Sequence, residues 1–198
     1  MVFTHGPTAH LPCLASRAGL GRITRSSGIV RFVQGGVVNT VRYAATRETM
    51  SETWSSDLAG IVAAALAELT PKFAGNQIAM LAIDCHPWHG TLSLCVLTES
   101  ECANDPELRD PAEMAAWRFF DCSDRLAAWA PVSALSESMH GAYGSSDDNS
   151  SVAATYLQHC ADALTHPDVT EAISKLDTSP HFRLSITHPD DGTEFCGP

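Results

Sequence analysis

The chain has 198 residues, 44% hydrophobic and 18% charged, with a net charge of −11. This composition is neither that of a disordered chain nor that of a coiled coil, and no run approaches the roughly 20 apolar residues of a membrane span. Charge is divided unevenly: residues 1–49 hold six Arg and one Glu, net +5, whereas residues 50–198 hold six Lys or Arg and twenty-two acids, net −16.

Residues 1–49 read as a basic leader outside the fold. Arg17, Arg22, Arg25, Arg31, Arg42 and Arg47, with Ser26 and Ser27 and a single acid, match the composition of an organellar transit peptide. Two further readings stay open: Met50 as the true start, or a basic arm folding back onto the acidic body. Residues 1–21 lack the apolar run, roughly 7 to 15 residues, of a secretory signal. Residues 50–198 then form a single acidic globular domain. Seven cysteines without a CxxC pair indicate reduced, buried thiols and a cytoplasmic location, or an organellar one if the leader is a transit peptide.

From Leu58, apolar residues recur at Ile61, Val62, Ala65, Leu66 and Leu69, which predicts a helix capped by Ser55 or Ser56 and ended by Pro71 and Gly75. Residues 77–84 are apolar on both faces, and residues 91–98 carry Leu92, Leu94, Cys95, Val96 and Leu97. Separated by a short turn, they predict an antiparallel hairpin at the centre of a sheet. Asp110, Pro111 and Glu113 mark a helix start. Pro131 divides residues 126–139, and the polar stretch 141–151 reads as a mobile loop. Val152, Tyr156, Leu157, Cys160 and Leu164 share a helical face, and Asp168 with Glu171 predicts a capping box for a second helix. Phe182, Leu184 and Ile186 alternate with His181, Arg183 and Ser185 as a strand, and Pro189 to Gly192 turns the chain after it. The expected fold class is α+β: an antiparallel sheet with a central hairpin, packed by amphipathic helices.

Over about residues 58–195 this arrangement resembles small uncharacterised bacterial proteins catalogued as a domain of unknown function. The resemblance is carried by Ala82, Ile83, Asp84, Cys85, His86, Pro87, Trp88, His89 and Gly90 and by the ending at residues 182–194. It implies the fold and assigns no activity.

Asp84, Cys85, His86 and His89 crowd one turn, and all four side-chain types can bind zinc or move protons. His86 and His89 are the candidate metal ligands, although their spacing lacks the helix and the Glu of a metalloprotease motif. A turn closed by Pro87 and Gly90, with Trp88 as a lid on the core, accounts for the same residues structurally. Cys85 and Cys122 are candidate nucleophiles if exposed and small core side chains if not. The His-Pro-Asp steps at His166 and His188 match the J-domain signature, but no basic helix precedes them, so capping and turn roles explain them. No phosphate loop or nucleophile elbow is present, and no motif calls for a cofactor or specifies an oligomer.

An acidity of this size repels nucleic acid and anionic membrane and attracts basic protein surfaces. The expected function is therefore a non-enzymatic interaction domain of bacterial type, in the manner of an immunity or adaptor protein, binding a basic protein partner. Glu107, Asp110, Asp147 and Asp148, in the segments least committed to the core, are the expected binding carboxylates. The alternative is a small metal-dependent or hydrolytic enzyme centred on the 84–89 turn.

Overall fold

A computed structural model describes residues 24–26, 29–34, 37–42 and 44–196, with side chains from residue 53 onward. The chain divides into two compact units, Met1–Arg47 and Glu48–Pro198. In the first, strands β1 (Thr24–Ser26), β2 (Ile29–Gln34) and β3 (Val37–Arg42) form an antiparallel meander in that order. The boundary between units falls close to the charge break at Met50.

Helix α1 spans Ala44–Leu69, so it begins well before the expected Ser55 or Ser56 cap, and both serines lie inside it. Its end is as expected: Thr70 Oγ1 donates to Leu66 O at 2.8 Å, and Pro71 opens a short 3-10 turn, Thr70–Phe73. The hairpin follows, with β4 (Ile78–His86) and β5 (Thr91–Thr98) antiparallel. The third strand, β6 (Thr178–Ser185), lies on the other side of β4 and runs parallel to it, giving the order β5-β4-β6. The sheet is therefore mixed rather than purely antiparallel, and the hairpin contributes the central strand and one edge. The long return from β4 to β6, through β5 and the helices that follow it, permits the parallel pairing that a tight turn would forbid.

Both faces of the sheet are covered, which explains why β4 is apolar on both. On one face Leu81, Ile83 and Leu94 meet Leu58, Val62 and Leu66 of α1 and Leu157 and Leu164 of α4 (Asn149–Leu164). Each such fully buried side chain contributes about 1.5–3 kcal/mol of transfer free energy. On the other face Met80, Ala82, Cys95 and Leu97 pack under Cys102 of α2 (Glu99–Asn104) and under Met114 and Trp117. A register shift between Ile78 and Met80 turns Ala79 and Met80 together onto this second face.

Thr98 caps α2 in a full capping box with Glu101, whose other oxygen accepts from Arg118 N at 2.7 Å. Asp110 accepts from Ala112 N as expected, but the helix it opens is a 3-10 turn, Pro111–Ala116. Residues 117–124 then run along the outer edge of β5: Val96 N donates to Phe119 O, Cys122 N to Leu94 O, and Leu94 N to the buried Ser123 Oγ at 2.9 Å. An edge that would expose unpaired backbone groups is covered.

Pro131 precedes α3, which runs Val132–Gly144. The expected mobile loop at 141–151 shrinks to residues 145–148, because Gly141 and Gly144 continue α3 and Asp148 caps α4. Helical hydrogen bonding overrides the weak propensity of these glycines. For α5 (Pro167–Ile173) the cap is His166, whose Nδ1 accepts from Asp168 N at 3.3 Å, so Asp168 lies in the first turn instead of serving as the cap. No helix among the described residues is long and apolar enough to cross a membrane.

Candidate functional site at the hairpin turn

Strand alternation separates the crowded residues of the 84–89 turn. Cys85 points into the main core, 1% exposed, with its Sγ 3.7 Å from Met139 Sδ. Asp84 and His86 lie on the opposite face, half-buried, and His86 Nε2 is 3.0 Å from Asp84 Oδ1. That hydrogen bond is the main reason His86 is held protonated above its ordinary range; burial opposes it, and the charges of Asp84 and Asp190 add to it. His89 is exposed at the tip. The turn closes through His89 N and Gly90 N, both donating to His86 O, with Gly90 at φ +66.

Trp88 is half-buried and belongs to neither core cluster, which corrects its expected role as a lid on the core. It stands among rings instead. Its centroid lies 5.3 Å from His86, 6.2 Å from His89, 5.9 Å from His188 and 6.3 Å from Tyr143. His140 joins from α3, with its Nδ1 3.4 Å from Pro87 O. Beside the tip a cavity of about 580 Å³ is lined by His89, Ser93, Asp121, Asp124, Glu137 and His140, among others.

The chemistry this arrangement supports is limited. His86 can hold and pass a proton, but no hydroxyl or thiol among the described residues is hydrogen-bonded to it. Burial pushes Cys95 and Cys122 up to about 12, and Cys122 Sγ donates to Leu94 O, so neither offers a thiolate at neutral pH. Cys122, partly buried against the main core, is the packed small side chain rather than the nucleophile of the two readings. Among the described residues no three His, Cys, Asp or Glu are arranged to hold a metal ion.

The four expected binding carboxylates are all exposed but do not form one patch. Glu107 and Asp110 sit by α2 and its following turns, at the end of the sheet where Thr98 pairs with Ile78. Asp147 and Asp148 follow α3, whose Tyr143 packs at Trp88, at the opposite end of β4. Asp110 and Asp148 also have structural duties as caps. Asp121, Asp124 and Glu137, which line the cavity at the hairpin tip, and Asp190, whose charge acts on His86, carried no local signature: they come from three separate segments and meet only in the fold. No family model matches the chain, and no curated protein or solved structure matches it either.

Proposed function

We propose that the chain is a non-enzymatic interaction domain, of the immunity or adaptor kind, that docks a basic protein partner through the hairpin-turn end of its sheet. One observation carries this reading. Trp88 and Tyr143 form a half-buried aromatic pair at the hairpin turn, beside a cavity whose lining includes Asp124 and Glu137 and with Asp190 close enough for its charge to act on His86, and none of these carboxylates pairs with a Lys or Arg among the described residues. An aromatic anchor flanked by charged groups is a common anatomy of an energetic hot spot, and the sign of those groups selects a basic surface. Among the described residues only Glu99 and Glu171 pair with an Arg or Lys, so the field of the acidic body reaches solvent.

The test is capture of the partner with the full chain, followed by association kinetics. The association rate should fall steeply with salt, since exposed charges are screened over roughly 8 Å at physiological ionic strength. Neutralising Asp124, Glu137, Asp147 and Asp190 together, none of which caps a helix, should slow association by about tenfold. Glu107→Gln, at the far end of the sheet, should leave it unchanged. An acidic partner, or an association rate indifferent to both salt and the four substitutions, would sink the reading. A second reading, a hydrolytic enzyme in which His86 activates water, is favoured only by the 3.0 Å contact of Asp84 with His86. Under that reading Asp84→Asn removes turnover of an ester panel and leaves partner binding intact.

A further inference from the structure

At the other end of the sheet the charge logic reverses. A cavity of about 570 Å³ is walled by Ala79, Met80, Leu97 and Pro111 and carries Arg109, Asp110, His181 and Arg183. The domain from Met50 has only six Lys or Arg, and two of them meet here. They are not equivalent. Arg109 Nη2 lies 2.6 Å from Glu99 Oε2, so its charge is matched, and Glu99 is in turn held below the ordinary carboxylate range by the Ser179 hydroxyl first and by Arg109 second. Arg183 has no carboxylate partner among the described residues; one Nη2 hydrogen bond to the Arg109 carbonyl oxygen fixes it. Asp110, the one acid in the wall, already accepts from Ala112 N.

We infer that this cavity binds a small organic oxyanion, a carboxylate or phosphate monoester with an apolar body, with Arg183 as the anchoring cation. A guanidinium presents five N–H donors in a planar fork, and tying the 106–116 segment to the sheet uses one of them. The remaining donors face a cavity whose volume falls in the usual range for small ligands, roughly 300–1,000 Å³. Arg183 and His181 alternate to the same face of β6, Arg183 pairs with Met80 in register, and Met80 supplies apolar wall beside the charge. Ser185, next on that face and 2% exposed, keeps an Oγ without a hydrogen-bond partner. Polyanions are disfavoured by the acidic body around the cavity, which selects a compact, singly headed anion. This site stands apart from the Trp88 surface and does not depend on the docking reading.

The test titrates the full chain with benzoate and, separately, phenyl phosphate, following backbone amide shifts. At least one probe should saturate, with the largest shifts at residues 79–80, 109 and 181–183. Arg183→Gln should weaken that binding by about tenfold or more, and Arg183→Lys by less, because it keeps charge but loses the fork. If Arg183→Gln fails to unfold cooperatively, His181→Ala, at an exposed strand position, carries the same comparison. Saturation by phenyl phosphate alone assigns a phosphate monoester, and by benzoate alone a carboxylate. Shifts in neither titration, or equal affinity in the substituted chains, would overturn the assignment.

Discussion

His86 and Trp88 are neighbours in the turn, yet they answer to different measurements. Asp84 raises the pKa of His86 above its ordinary 6.5 in the folded state. Protonation of His86 therefore stabilises the fold, fully below about 6.5 and decreasingly as pH rises through the raised value. Asp84→Asn should bring the imidazole back toward 6.5 in an NMR titration and flatten the stability profile over that window; an unchanged midpoint would show that the hydrogen bond is not formed in solution. Trp88 is only half-buried, so Trp88→Ala should cost about 1 kcal/mol in denaturant unfolding and not the roughly 3 kcal/mol of a core aromatic. Its loss from the docking surface should nevertheless weaken partner binding by about 2 kcal/mol or more, a split that a core residue would not show. Residue types in the turn were plain from the sequence. Their separation onto two faces follows from strand alternation continuing through His86, and the ring contacts of Trp88 with Tyr143 and His188 have no local signature.

Turn geometry sets a sharper limit than composition at the level of the hairpin. Gly90 has φ +66, and a Cβ placed there would lie 2.9 Å from His140 Cβ. Gly90→Ala combines a left-handed backbone with a clash against α3, and should destabilise by about 1–3 kcal/mol in urea unfolding, with shifted signals at His140. A loss below about 0.5 kcal/mol would mean that α3 moves freely against the turn. Elements with dense periodic burial were legible in advance: the second half of α1, both hairpin strands, α4 and β6. Misread elements shared a cause. Ser55 and Ser56 resemble caps, and Gly141 and Gly144 resemble loop residues, but helical hydrogen bonding runs through all four because neighbouring buried positions, Trp54, Leu58 and Met139, commit those stretches to the core. Direction was also hidden in β6, whose alternation is the same whether its neighbour runs parallel or antiparallel.

The division at Glu48 gives the charge break a physical counterpart in the whole molecule. A chain beginning at Met50 should unfold in one cooperative transition with nearly the midpoint of the full chain, because Leu58, Val62, Leu66 and the rest of the main core lie beyond it. Loss of the sigmoidal transition would make the first unit part of the same cooperative fold. The parallel pairing of β6 with β4 has a consequence for synthesis. Roughly 100 residues separate the paired strands, so at about 5–20 residues per second a nascent chain carries an open, apolar β4 edge for several seconds after its hairpin could close. Nascent chains stalled before Thr178 should therefore be captured by strand-binding chaperones and cleaved readily near β4, and chains long enough to expose all of β6 should resist both; equal protection at the two lengths would mean that the hairpin and helices alone hold the sheet closed.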